Sequence, residues 1–197
     1  ELKRVVVTGL GAITPLGHNV ADTWAAVVDG VSGAGPITRF DASLFKTQFA
    51  CEVKDFDPSL YFDRKEARKY DRYAQYAVIA AKEGVEDSGL DLEKVNKNRV
   101  GVIFAAGIGG IRTFEEEVGG FYLNEDKGPR FNPFFIPKMI ADIAAGHISM
   151  MYGFHGPNYA TVSACASSTN ALIDAFNNIR LGKADVIVTG GAEAAIT

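Results

Sequence analysis

Ala160-Thr161-Val162-Ser163-Ala164-Cys165-Ala166-Ser167-Ser168-Thr169-Asn170 runs directly into Ala171-Leu172-Ile173-Asp174-Ala175-Phe176-Asn177-Asn178-Ile179-Arg180-Leu181. The first residues are small and β-branched and suit a buried strand, whereas apolar residues at 172, 173, 176 and 179 recur at a helical period. Cys165 is therefore expected where a strand turns into a helix. The first turn of a helix carries unpaired N–H groups and the positive end of the macrodipole, which favour a thiolate and an oxyanion formed beside it. A helix terminus contributes about 0.3–1 kcal/mol, or ~2 kcal/mol when partly buried. That lowers a thiol pKa of about 8.5 only to roughly 7–8.3, which improves a nucleophile without completing an active site. Free cysteines are also among the most buried side chains. Against that core reading, the Ala and Ser residues around Cys165 leave room for a substrate backbone, and local chemistry alone leaves the two readings level.

Working outward, Val5-Val6-Val7-Thr8, Arg99-Val100-Gly101-Val102-Ile103-Phe104-Ala105 and Ala184-Asp185-Val186-Ile187-Val188-Thr189-Gly190-Gly191 read as near-continuous apolar strands, the pattern of a sheet buried on both faces. Helices are expected between them. Asn19 caps one that runs to Asp29, with Val20, Trp24, Val27 and Val28 on one face and Gly30 as its stop. An amphipathic helix starts at Tyr73 and ends at Asp87-Ser88-Gly89, and Pro137 fits the first turn of a helix continuing to Ser149. Residues 31–59 are mostly loop around a short strand at Cys51. Alternating strands and helices predict an α/β fold, a mostly parallel sheet between helical layers in a single domain spanning 1–197.

Composition narrows the function classes. With 197 residues, 47% of them hydrophobic and 22% charged, the chain can form one substantial core. A net charge of −4 gives no bulk basic field for nucleic acid. No run approaches the roughly 18 apolar residues of a membrane span, and Leu2-Lys3-Arg4-Val5 enters a strand without a signal-peptide core, so a soluble cytoplasmic protein is expected. Two cysteines form neither a metal pattern nor a disulfide framework. Cys51 shares an alternating face with Phe49 and Val53 and is expected to be packed inside. Gly9-Leu10-Gly11 follows a strand, but Thr14 and Pro15 replace the rest of a dinucleotide fingerprint. Gly107-Ile108-Gly109-Gly110 lacks the Gly-Lys-Ser/Thr of a phosphate loop, so close backbone approach explains its glycines better. His147 reads as a hydrogen-bonded core residue. Arg64-Lys65-Glu66-Ala67-Arg68-Lys69-Tyr70-Asp71-Arg72 reads by composition as a solvated helix start.

The segment Val162–Leu172 resembles the nucleophile segment of the β-ketoacyl-[acyl-carrier-protein] synthases, and the likeness extends over the whole chain. Arg4–Gly11 is similar to the family's opening strand and turn, Gly107–Gly110 to its central glycine loop, Asn132–Pro137 to its dimer-side loop and Gly190–Glu193 to its midpoint turn. The match is closest to the type II synthases. The resemblance implies a thiolase-like fold of two pseudo-symmetric halves, of which this chain corresponds to the first. It implies ping-pong acyl transfer: Cys165 as nucleophile and backbone oxyanion donor, Ile108 lining the acyl pocket, and Phe135 reaching the partner subunit's pocket in a homodimer. Lys65, Arg68, Lys69 and Arg130 match positions that dock the acyl-carrier protein. No cofactor or metal is implied beyond the carrier's phosphopantetheine. The two catalytic histidines, a supporting lysine and a second oxyanion donor belong to the family's second half, and none of His18, His147 or His155 falls at a matching position. The chain alone is thus expected to be inactive. A non-catalytic partner subunit of a polyketide-type synthase, which would lack the nucleophile, and a stand-alone carrier-binding half-domain are the alternatives. A thiolase acting on coenzyme A also uses a cysteine here, but the loops at 107–110 and 132–137 resemble the carrier-protein branch.

Overall fold

Residues 2–124, 128 and 130–197 are described by the computed structural model. In chain order they form α1 (Val20–Val28), β1 (Gly35–Pro36), β2 (Phe49–Ala50), α2 (Arg64–Ala67), α3 (Arg72–Asp87), β3 (Val100–Ala105), α4 (Ile111–Leu123), α5 (Phe135–Met139), α6 (Ile143–Tyr152), β4 (Asn158–Tyr159), α7 (Ser167–Arg180) and β5 (Val186–Gly191).

Strand β3 organises the core because all of its residues are buried. Successive side chains of a strand point to opposite faces. Val100, Val102 and Phe104 accordingly pack with Tyr73, Ala77 and Val78 of α3 and Ala144, Ala145 and Ile148 of α6. Ile103 and Ala105 meet Ala171 and Ala175 of α7 on the other side. The sheet order is β4-β3-β5 and both pairings are parallel. This is the expected α/β architecture, a parallel sheet between helical layers.

Helix starts follow their caps. Asn19 accepts from the Asp22 N–H at the start of α1, Asp63 from Lys65 and Glu66 at α2, and Asp71 from Tyr73 at α3. Asp71 is 3% exposed, and its second oxygen accepts from the Thr113 N–H at 2.9 Å and the Thr113 hydroxyl at 2.6 Å. One carboxylate thus joins the start of α3 to the first turn of α4.

Four expectations are corrected. Val5–Thr8 forms no strand: Val6 and Val7 are exposed, and past them the N–H groups of Leu10 and Ala12 donate to Asp87 and Glu83 on α3. A Cβ on Gly9 or Gly11 would fall 2.2 Å or 1.9 Å from an α3 carbonyl oxygen, so these glycines serve helix packing. The expected inner face of α1 is open, with Trp24 66% exposed. Cys51 is exposed, because β2 ends at Ala50 and the alternating face does not continue inward through Cys51: Phe49 is exposed too and Val53 only half-buried. Glu52 is buried in its place and accepts from the N–H and hydroxyl of Thr38 and the N–H of Arg39. Finally, the helix expected over 137–149 is broken into α5 and α6 at Ile140. Outside donors take the carbonyls there, the Gly110 N–H on Met139 and the Tyr73 hydroxyl on Ile140. Among the described residues no helix is long and apolar enough to cross a membrane.

Candidate active site

Strand β4 pairs with β3 only at Asn158 and Tyr159, so the strand expected as far as Ser163 stops short. The chain beyond it is held by side chains. A 3-10 turn, Ala164–Ala166, carries Cys165 and leads straight into α7. Ala164 has φ +50°, the left-handed region, which costs a non-glycine residue roughly 1–2 kcal/mol. Ser167, 4% exposed, holds the chain in that shape. Its Oγ accepts from the Ser163 N–H at 2.8 Å and donates to the Ala164 carbonyl at 2.7 Å. Thr161 donates to the Ser167 carbonyl at 2.8 Å, and Asn170 to the Ser163 hydroxyl at 2.6 Å. The result presents Cys165 exposed on a turn fixed from behind. No side chain caps α7, and no hydrogen bond to the Cys165 N–H is present among the described residues. The Ala166 and Ser167 N–H groups are taken by the Ser163 and Ala164 carbonyls, which leaves the Cys165 N–H beside the thiol, at the start of a long helix, suited to hold the oxyanion formed when the thiol attacks a carbonyl.

The glycine loop that follows β3 lies against this turn. The Gly107 and Ile108 N–H groups donate to one oxygen of Glu193 at 2.8 and 2.7 Å. A Cβ on Gly107 would come within 3.8 Å of the Ala164 carbonyl oxygen. At the far end of the loop, a Cβ on Gly110 would fall 2.4 Å from the Lys138 carbonyl oxygen. Close backbone approach is thus why glycines stand here.

Between these fixed ends the Ile108 side chain is 57% exposed. Phe135 is partly buried at the start of α5, and its ring lies 5.5 Å from Phe131 and 6.4 Å from Phe114. Lys65, Arg68 and Lys69 are exposed on α2 and the residues just past it, and none forms an ion pair among the described residues. Arg130 is exposed on a separate segment, beside a shallow cavity of about 300 Å³ that Glu116, Glu117 and Phe121 also line. His147 packs its ring 4.4 Å from that of Tyr70. Contrary to expectation, its buried Nε2 has no hydrogen-bond partner among the described residues. Burial, with Lys69 nearby, lowers the imidazole pKa to about 4, so it stays neutral. A cavity of about 500 Å³ lies between α2, α3 and α6, and no residue of the Cys165 turn or the glycine loop lines it.

A family model described as the β-ketoacyl synthase N-terminal domain matches residues 2–197. This chain belongs to the β-ketoacyl synthase family. Relatives include the 3-oxoacyl-[acyl-carrier-protein] synthase 2 of Synechocystis sp. (strain ATCC 27184 / PCC 6803 / Kazusa), 46% identical across 100% of this chain and 47% of its own length. That of Staphylococcus aureus (strain COL) is 46% identical, across 99% of this chain and 47% of its length. This chain therefore spans about half the length of these relatives. Among solved structures, a type II polyketide synthase complex of an acyl-carrier protein with its ketosynthase, AntDE:AntF, aligns with TM-score 0.82 and 27% identity, over 98% of this chain and 52% of that one. A β-ketoacyl synthase from Burkholderia phymatum STM815 aligns with the same score and identity, over 98% and 47%. The fold is thus the thiolase-like α/β fold of ketosynthases.

The sequence pattern placed Cys165 just before a helix but did not reveal what holds it. The roles of Ser167, Asp71 and Glu193 were missed in the sequence. Glu193 acts on residues 86 and 85 positions away, a pairing that no local period signals.

Proposed function

We propose that this chain is the nucleophile-bearing half of a 3-oxoacyl-[acyl-carrier-protein] synthase that elongates fatty acids in the cytoplasm. One observation carries the reading: Cys165 stands exposed on a turn braced by Ser167, at the uncapped start of α7. The Cys165 thiolate attacks the carbonyl of an acyl thioester, the backbone N–H of Cys165 holds the oxyanion, and the carrier's phosphopantetheine thiol leaves. Malonyl-carrier protein then loses carbon dioxide, and its enolate carbon attacks the acyl-Cys165 carbonyl. The products are a 3-oxoacyl thioester on the carrier and the free thiolate. Decarboxylation needs groups that polarise the malonyl carbonyl, and the family resemblance assigns these to the second half. The complete cycle is accordingly a property of a polypeptide the length of the relatives.

Ile108 lines the acyl pocket in this reading, and Phe135, in its stack with Phe131, lies at a homodimer interface. Lys65, Arg68, Lys69 and Arg130 meet the acidic carrier. Substrates arrive on phosphopantetheine, with no resident cofactor. The test is to incubate full-length protein with acyl-carrier protein and map the thioester by peptide mass spectrometry. Acyl groups are expected on Cys165 and to vanish in Cys165→Ala; label confined to Cys51 would overturn the reading.

A further inference from the structure

Strand β5 ends at Gly191 against α7, where an added Cβ would lie 2.2 Å from the Ser168 Oγ. The Ala192 N–H still pairs with the Ala105 carbonyl at 3.0 Å, so the chain follows β3 to its end before releasing Glu193. There one carboxylate oxygen receives two consecutive N–H groups, from Gly107 and Ile108. Hydrogen bonds to an ionised acceptor are shorter and stronger than neutral ones, and two from adjacent residues fix both the position and the tilt of that peptide. The other end of the loop is fixed by the Gly110 N–H on the Met139 carbonyl at 2.9 Å. Ile108 is thus carried on a backbone pinned at both ends, beside the carbonyl of the residue preceding Cys165.

We propose that Glu193 is a positioning residue that sets which acyl chain lengths are accepted, by fixing the Ile108 wall relative to Cys165. The role rests on the condensing reading above. A carboxylate whose oxygen accepts from two loop N–H groups acts here through backbone placement. Without it the loop gains freedom on the Ile108 side and keeps its anchor at Gly110. A short acyl group that never reaches the wall is indifferent to that freedom. A chain whose length matches the wall is not, because its fit depends on a fixed contact.

The test compares wild type, Glu193→Ala, Glu193→Gln and Gly107→Ala in the full-length polypeptide. Three quantities are read: kcat/KM across acyl lengths, hydrogen exchange of the peptide spanning 104–112, and alkylation of Cys165 by iodoacetamide. Glu193→Ala should speed exchange at the Gly107 and Ile108 amides about tenfold or more and lower kcat/KM for the preferred length about tenfold. The two-carbon substrate and Cys165 alkylation should change less than about threefold, so the length profile flattens. Glu193→Gln keeps an acceptor oxygen and should preserve the optimum, with a loss under about fivefold. Gly107→Ala places a Cβ 2.9 Å from the Glu193 oxygen and should reproduce the flattening from the other side of the contact. Combined with Glu193→Ala it should be no worse than the more severe single change, as expected for two residues acting through one contact. If Glu193→Ala does not fold, Gly107→Ala carries the same comparison. Equal losses at every chain length, or an unchanged profile in an active wild-type background, would overturn the positioning role alone. A wild type that forms no acyl-Cys165 at any length would overturn the condensing reading and this role together.

Discussion

Ser167→Ala tests whether the turn that presents Cys165 is braced as described. The substitution removes one hydroxyl that accepts from Ser163 and donates to Ala164. Each bond contributes about 0.5–1.5 kcal/mol net, so the loss should total about 1–3 kcal/mol. The Ser163 N–H lies close to solvent and can turn to water, which keeps the cost within that range. The second consequence is chemical. Ala164 at φ +50° then relaxes toward the right-handed region, and the Cys165 sulfur loses its place at the start of α7. Losing its place at the helix start, worth about 0.3–1 kcal/mol to a developing negative charge, should slow alkylation of Cys165 about two- to fivefold. Urea unfolding measures the first quantity. Iodoacetamide labelling resolved by peptide measures the second, with exposed Cys51 as internal reference. A Cys165 to Cys51 labelling ratio unchanged from wild type would refute the bracing argument, as would a stability loss below about 0.5 kcal/mol.

The remaining predictions concern other parts of the structure. Lys65→Glu with Arg68→Glu should sharply lower kcat/KM of the full-length protein for carrier-bound substrate, with a smaller deficit at high salt, because exposed charges act mainly through encounter rate. A free pantetheine thioester should be turned over nearly as before, and equal losses on both substrates would assign these residues to the fold instead. For His147, the ordinary imidazole pKa is 6.5 and the folded value about 4, so the folded state binds fewer protons between the two. Its contribution is present above pH 6.5 and lost as pH falls towards 4. His147→Phe should flatten the stability profile in that window, and a retained slope would locate the titration elsewhere. Gly110→Ala should destabilise by about 1–3 kcal/mol through backbone overlap. Gly119→Ala, inside α4 with nothing within 4 Å among the described residues, should stabilise by about 0.5–1 kcal/mol; thermal unfolding of the two variants decides.

Periodicity and caps alone determined much of this protein. The 3.6-residue period predicted α3 and α7, Asn19 marked the start of α1, and the unbroken apolar runs predicted β3 and β5. Each is a signal carried by neighbouring residues, which is why it survives without a structure. The change from small and β-branched residues to a helical period located the turn that carries Cys165 for the same reason. What tertiary structure decided depends on partners distant in the chain. Val5–Thr8 is as apolar as β3, but an apolar run becomes a strand only where another strand takes its N–H groups, and the following donors are taken by α3 carboxylates. Cys51 is exposed and Glu52 buried because the N–H and hydroxyl of Thr38 and the N–H of Arg39 replace the water donors that the carboxylate loses on burial. Helix 137–149 broke because Gly110 and Tyr73 supply the hydrogen bonds that continuation would have made. The strain at Ala164 and the grip of Glu193 on the glycine loop arise only when β3, β5 and α7 converge, and so belong to the folded molecule alone.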